Sequence, residues 1–208
     1  MSGPAVHQAA ALLLGYPDTR WPERLDAVTA ALEPLPGPDV ALLLRFCATV
    51  RDTAPLTLAA RYVTTFDRSR RRCLYLTYYT DGDTRRRGTN LARLKALYRD
   101  HGWQSPEDEL PDFLPLMLEF AARAPQAGTR LLAEHRPGLE LLRLALTDHH
   151  SPYADIVEAV CHTLPGPGPA TREAALRLAR GGPPTEAVGL LPFPQRPTDA
   201  PHAEETSR

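Results

Sequence analysis

Lysine is almost missing from this chain of 208 residues: Lys and Arg together number 24, and Lys95 is the only lysine among them. These cations nearly cancel 25 Asp and Glu, leaving a formal net charge of −1. So balanced a chain lacks the overall positive field of a nucleic-acid binder, and any attraction for an anion must be local. Cysteine is scarce as well. Cys47, Cys73 and Cys161 stand far apart, with no Cys-x-x-Cys and no Cys/His ligand spacing. That pattern excludes a disulfide scaffold and predicts a reducing compartment. No apolar run approaches the length of about 18 residues that a membrane-spanning helix requires. No basic residue precedes Arg20, whereas a secretory signal places its charge ahead of its apolar stretch. The expectation is a cytoplasmic protein without stable membrane insertion.

Strand-like alternation is equally rare. Nearly every segment between prolines carries helical periodicity, so the predicted fold class is all-α. A single helical-bundle domain is expected over residues 1–180, followed by an irregular Pro/Gly-rich tail over 181–208. The 22 prolines act largely as punctuation, opening helices in which Ala and Leu propagate. Helices are expected over 5–15, 22–33, 38–52 and 55–66. A long basic helix follows, with Asp83 as its cap and Gly102 as its stop. Further helices are expected over 111–123, 129–147, 152–164 and 171–180. In the tail, the apolar island 188–193 either docks on the domain or is a chance patch on a mobile segment.

Charge is sorted by region. Residues 61–99 hold ten arginines and Lys95 against Asp67, Asp81 and Asp83, whereas residues 101–165 hold ten acids against four arginines. The two halves should attract each other in the fold. The stretch TFDRSRRRCLYLTYYTDGDTRRRG, 65–88, concentrates the basic charge around an apolar and aromatic run. Arginines beside Tyr75, Tyr78 and Tyr79 could meet phosphates and stack bases, but the neutral chain and its acidic second half argue for internal pairing. Gly82 and Gly88 bracket five residues as in a phosphate loop, yet Thr89 and Asn90 replace the required Lys-Ser/Thr and no strand precedes. Asp81 and Asp83 fall short of the oxygen shell of a hard cation. Cations in a first helical turn oppose the helix dipole by a few tenths of a kcal/mol each, so Arg85, Arg86 and Arg87 should have acidic partners, with Asp81, Glu109 and Asp112 as candidates, and Arg85 or Arg87 should pair with an acid of the 109–112 turn. Gly88 would let a neighbouring backbone approach. Asp67, Asp83, Arg85, Arg87, Gly88 and Glu109 therefore read as a packed structural junction.

Chemistry is otherwise sparse. His149, His150, Cys161 and His162 match no common zinc spacing, no Ser or Cys stands in a nucleophile motif, and neither a metal nor a cofactor is expected. The chain does not read as an enzyme. The second informative stretch is ELPDFLPLMLEFAARAP, 109–125, a helix apolar on nearly every side. Such a helix is either the centre of a bundle or keeps one face for a partner. In the second case Leu116, Met117 and Phe120 would line a peptide-binding groove, with Asp112 and Glu119 attracting a basic peptide.

Three segments, LLGYPD at 13–18, RYVTTFDRSRRRCLYLTYYTDGDTRRRG at 61–88 and ELPDFLPLMLEFAA at 109–122, together resemble the NarJ family. This is the delta subunit and assembly chaperone of respiratory nitrate reductase, related to the TorD-type chaperones of molybdoenzymes. Gly82, Asp83, Arg85, Arg87 and Gly88 match the family's Gly-Asp-Ser/Thr-Arg-x-Arg-Gly run. Glu109, Leu110, Pro111 and Asp112 match its Glu-Leu-Pro-Asp run, while Phe113 stands where the family commonly has His. The resemblance implies a dedicated chaperone that binds the N-terminal segment of the catalytic (alpha) subunit and supports molybdenum cofactor insertion before membrane docking. A chaperone for another molybdoenzyme, a helical DNA-binding regulator built on the basic half, and a small structural subunit are the rival expectations.

Overall fold

The computed structural model describes residues 3–166. Among these, ten α-helices follow one another: α1 (Gly3–Leu13), α2 (Trp21–Leu32), α3 (Pro38–Val50), α4 (Pro55–Tyr62), α5 (Tyr78–Asp81), α6 (Arg85–Asp100), α7 (Leu114–Arg123), α8 (Pro125–Glu134), α9 (Arg136–Asp148) and α10 (Tyr153–His162). Helices α2, α3, α4, α7, α8 and α9 each carry proline at the first or second position, where the missing N–H would have had no helical partner anyway. The expected helix 171–180, the apolar island 188–193 and the domain boundary after residue 180 lie outside the described residues.

Local departures from the expected elements have local causes. The helix expected over 129–147 is two helices that part at His135, because Pro137 has no N–H to offer the preceding turn. The helix expected over 55–66 ends at Tyr62 and continues as a wider π turn, Val63–Asp67, closed by Arg68 N–H donating to Val63 O at 3.2 Å. Thr84, not Asp83, is the N-cap of α6, and the Thr84 hydroxyl donates back to Asp81 O at 2.8 Å. Gly102, at φ 67°, ends α6 as expected from its freedom in the left-handed region.

Helix α7 is the centre of the bundle, packed between α1 and α8. This settles how a helix apolar on every side is used, and it corrects the expected groove. Met117 and Phe120 are 0 % exposed and Leu116 is buried, so the three are enclosed by neighbouring helices and do not line an open surface. The Phe120 ring lies 4.8 Å from Tyr98, 5.6 Å from His101 and 5.7 Å from Trp103, centroid to centroid. On its other side α7 meets α8 so closely that a Cβ built at Gly128 would overlap the Ala121 backbone. Helix α10 packs on α3 and α9, and Tyr153 stacks among Phe46, Tyr62 and Phe66 at 4.9–6.0 Å.

His7 joins α1 to the end of α10. The Thr163 hydroxyl already donates to Val160 O, so the 2.8 Å contact between His7 Nε2 and Thr163 Oγ1 requires Nε2 to carry the proton. Burial pushes the His7 pKa down to about 4, and an Ala121 backbone group near the ring offsets only part of this. The folded-state value lies below the ordinary 6.5, so the unfolded chain takes up the proton first. Stability should therefore fall by about 3 kcal/mol as pH drops from about 6.5 to about 4 and level off below that. Urea titrations across this range check it, and His7→Gln should lose that component of the pH dependence. In the core, Gly128→Ala should lower stability by about 1 to 3 kcal/mol through overpacking, measured by the same method.

Candidate functional site

Asp112 is completely buried, and a buried carboxylate is tolerated only where partners surround it. Its Oδ2 accepts from the Thr77 hydroxyl at 2.5 Å and from Arg87 Nη2 at 3.3 Å. Arg87 Nε also donates to Thr77 Oγ1 at 3.2 Å, closing a triangle of Arg87, Thr77 and Asp112. The backbone fixes the same juncture. Leu76 N–H donates to Asp112 O at 3.0 Å, and Leu114 N–H donates to Leu74 O at 2.7 Å. These two bonds make a short antiparallel bridge between Tyr75 and Phe113. Directly opposed residues in such a bridge bring their side chains together, and the Tyr75 and Phe113 rings lie 5.4 Å apart.

The remaining junction residues take distinct places. Glu109 Oε1 accepts from the Tyr75 hydroxyl at 3.1 Å and from Leu110 N–H at 2.8 Å. Burial and the Glu109 carboxylate push the Tyr75 pKa up to about 12, so the phenol remains a neutral donor. Asp83 is exposed, with Oδ1 3.7 Å from Arg87 Nη1, and Arg85 is exposed beside it. Gly88 corrects an expectation: a Cβ there would meet open space, so no neighbouring backbone approaches it. Of the candidate peptide contacts, Glu119 is half-exposed and pairs with Arg123 at 2.8 Å, while Asp112 serves the triangle just described.

The bridge opens onto a cleft of about 460 Å³, lined by Tyr16, Tyr62, Phe66, Asp67, Cys73, Leu74, Tyr75 and Phe113. Each of the three motif segments contributes at least one aromatic residue here: Tyr16 from the first, Tyr62, Phe66 and Tyr75 from the second, Phe113 from the third. Tyr16 is 50 % exposed and meets Tyr62 edge-on at 5.4 Å. Its loop is held by the Tyr62 hydroxyl donating to Leu14 O at 3.0 Å and by Arg24, which pairs with Asp18 at 2.8 Å and donates to Tyr16 O at 3.2 Å. The π turn faces exposed Asp67 and buried Phe66 to the same cleft. Sequence reasoning missed this aromatic wall, although the presence of at least one aromatic residue in every motif was a signal for it. The Cys73 thiol in the wall, like Cys47 and Cys161, is pushed up by burial, which makes these thiols poor nucleophiles at neutral pH. Among the described residues, no group of three His, Cys, Asp or Glu is arranged to hold a metal ion.

Fold and cleft define the class: an all-α bundle that presents an open, aromatic, acid-rimmed cleft. The model of the nitrate reductase delta subunit family matches residues 33–158, and the chain belongs to that family. It is 34 % identical over 158 residues to the protein of Bacillus subtilis assigned as the nitrate reductase molybdenum cofactor assembly chaperone NarJ, covering 75 % of this chain and 86 % of that one. To NarJ of Escherichia coli K12, named a nitrate reductase molybdenum cofactor assembly chaperone, it is 38 % identical over 147 residues, 68 % of this chain and 62 % of that one. It is 45 % identical over 159 residues to the nitrate reductase-like protein NarX of Mycobacterium tuberculosis H37Rv, covering 76 % of this chain. The chain spans only 24 % of NarX, about a quarter of that protein's length. A crystal structure of an Archaeoglobus fulgidus protein assigned to redox enzyme maturation superposes with a TM-score of 0.57 at 20 % identity, over 82 % of this chain and 92 % of that one, and shares the fold.

The triangle makes a stability prediction. Arg87→Met leaves the buried Asp112 carboxylate without its cation and should cost about 3 to 5 kcal/mol, while Arg87→Met with Asp112→Asn should recover a large part of that loss. Denaturant unfolding of the two single variants and the double variant checks it.

Proposed function

We propose that the chain is an assembly chaperone of respiratory nitrate reductase that receives the N-terminal segment of the catalytic subunit in the cleft at Tyr16, Tyr75 and Phe113. The observation that carries this reading is the convergence of all three motif segments on one open aromatic wall rimmed by Asp67 and Glu109. The family membership and the names borne by the E. coli and B. subtilis relatives support the same reading. Aromatic rings offer apolar area at little entropic cost, and the two carboxylates suit a segment that carries basic residues. Exposed Leu110, next to Glu109, extends the apolar surface beyond the cleft.

The physical requirement on such a chaperone is to hold an immature enzyme and then release it. Micromolar affinity, about −8 kcal/mol, meets both needs and lies within reach of a few apolar side chains seated in a groove. While bound, the segment is kept from docking on the membrane subunit, and the enzyme stays open for molybdenum cofactor insertion. Asp112 acts from behind the wall, where its backbone carbonyl closes the bridge that carries Phe113, whereas Leu116, Met117 and Phe120 are core residues of α7, with Phe120 against Tyr98, His101 and Trp103.

The test is calorimetric titration of the full chain with a peptide of the catalytic subunit's N-terminal segment. Tyr16→Ala and Phe113→Ala should each weaken binding by about 1 to 3 kcal/mol without unfolding the chain. Phe120→Ala should instead cost about 3 to 5 kcal/mol of stability, because it empties a core site. No binding by the folded wild-type chain removes this reading.

A further inference from the structure

The groove between α6 and α8 takes no part in the function proposed above. It measures about 510 Å³, within the range of small-molecule sites, and is several times larger than a bare phosphate needs. Leu94, Leu97, Ala127 and Leu131 give it an apolar floor. The charge on its walls is unbalanced. Arg86, Arg93 and Arg130 face Asp81 and Glu134, with His101 and His135 added.

The two carboxylates are already engaged. Buried Asp81 accepts from Asn90 Nδ2 at 2.6 Å and lies 3.4 Å from Arg86 Nε, while Glu134 lies 3.6 Å from Arg93. Arg130 has no carboxylate partner among the described residues, and its Nε donates only to Gln126 O of its own helix at 3.3 Å. The histidines are placed alike, His101 as the C-cap of α6 and His135 as the C-cap of α8. Each ring sets Nδ1 against the carbonyl four residues back, Leu97 O at 3.0 Å and Leu131 O at 2.9 Å. A carbonyl only accepts, so Nδ1 carries the hydrogen in both rings and each Nε2 is left uncommitted.

A groove with excess guanidinium charge above an apolar floor suits an anion attached to an apolar body. Guanidinium forks match phosphate oxygens. We propose that this groove binds a small organic phosphate, with its phosphate on Arg93 and Arg130 and its apolar body on Leu94, Leu97 and Leu131. The site is separate from the aromatic cleft and does not depend on what that cleft binds.

Phenyl phosphate and inorganic phosphate are the probes. Each is titrated into the full chain labelled with nitrogen-15, against sodium chloride at matched ionic strength. Phenyl phosphate should produce saturable amide shifts within 86–101 and 127–135, with a midpoint of about 1 mM or below, and inorganic phosphate should bind several-fold more weakly. Arg130→Gln, an exposed change outside the core, should raise the midpoint about tenfold. Glu134→Gln, which frees Arg93 from its carboxylate, should lower it. Shifts that match those in sodium chloride, or a midpoint unchanged in Arg130→Gln, overturn the proposal. Equal affinity for the two phosphates overturns the role of the floor. Retention on phosphatidylserine vesicles, with no response to phenyl phosphate, overturns it in favour of a lipid headgroup.

Discussion

The buried charge of Asp112 is the constraint from which the rest of this structure follows. A carboxylate cut off from water must be met by hydrogen bonds and a cation, and losing one partner is far more damaging than replacing the whole set. Arg87 and Thr77 meet it at Oδ2, while the buried Oδ1 makes no hydrogen bond. Meeting it fixes where the first turn of α6 lies, where the chain runs between Leu74 and Thr77, and where α7 begins. The backbone bridge at the same point then sets Tyr75 beside Phe113. An ionic contact in the interior thus determines the shape of an aromatic surface at the exterior.

The fold was largely legible in the sequence, because proline spacing and helical periodicity report local preferences that packing did not override. The internal pairing of Arg87 was legible too, since cations in a first helical turn need acids and Asp112 was within reach. Three features were not legible. An all-round apolar helix has the same pattern whether it is central or partner-facing, and only the packing of α1 and α8 on α7 decides which. The open space around Gly88 depends on where other elements pass, which periodicity does not encode. The aromatic cleft is assembled from residues as distant as Tyr16 and Phe113, and no local pattern announces that a π turn will aim Asp67 toward them.

The charge sorting seen along the chain persists in three dimensions, but little of it is spent on joining the two halves. Among the described residues, Arg87 with Asp112 and Arg93 with Glu134 are the ion pairs that cross between the basic and acidic regions. Buried Asp81 pairs with Arg86 and buried Glu140 with Arg136 and Arg143, each within its own region, while exposed carboxylates such as Asp67 lie beside the aromatic cleft and exposed guanidinium groups lie along α6. Such a distribution lets one small bundle present faces of opposite character. It also explains why a near-neutral chain can still attract charged groups, since fields of exposed charges fade within about 8 to 10 Å at physiological salt.

The central claim is that the interior triangle shapes the aromatic surface proposed to receive the N-terminal segment of the catalytic subunit. Hydrogen exchange of the full chain, with and without the N-terminal peptide of that subunit, tests it most directly. The account predicts that peptide binding slows exchange in residues 14–18, 65–75 and 110–114 together, and leaves 86–101 unchanged. Protection confined to the α6 and α8 groove, or none at the Tyr75 to Phe113 bridge, would contradict it.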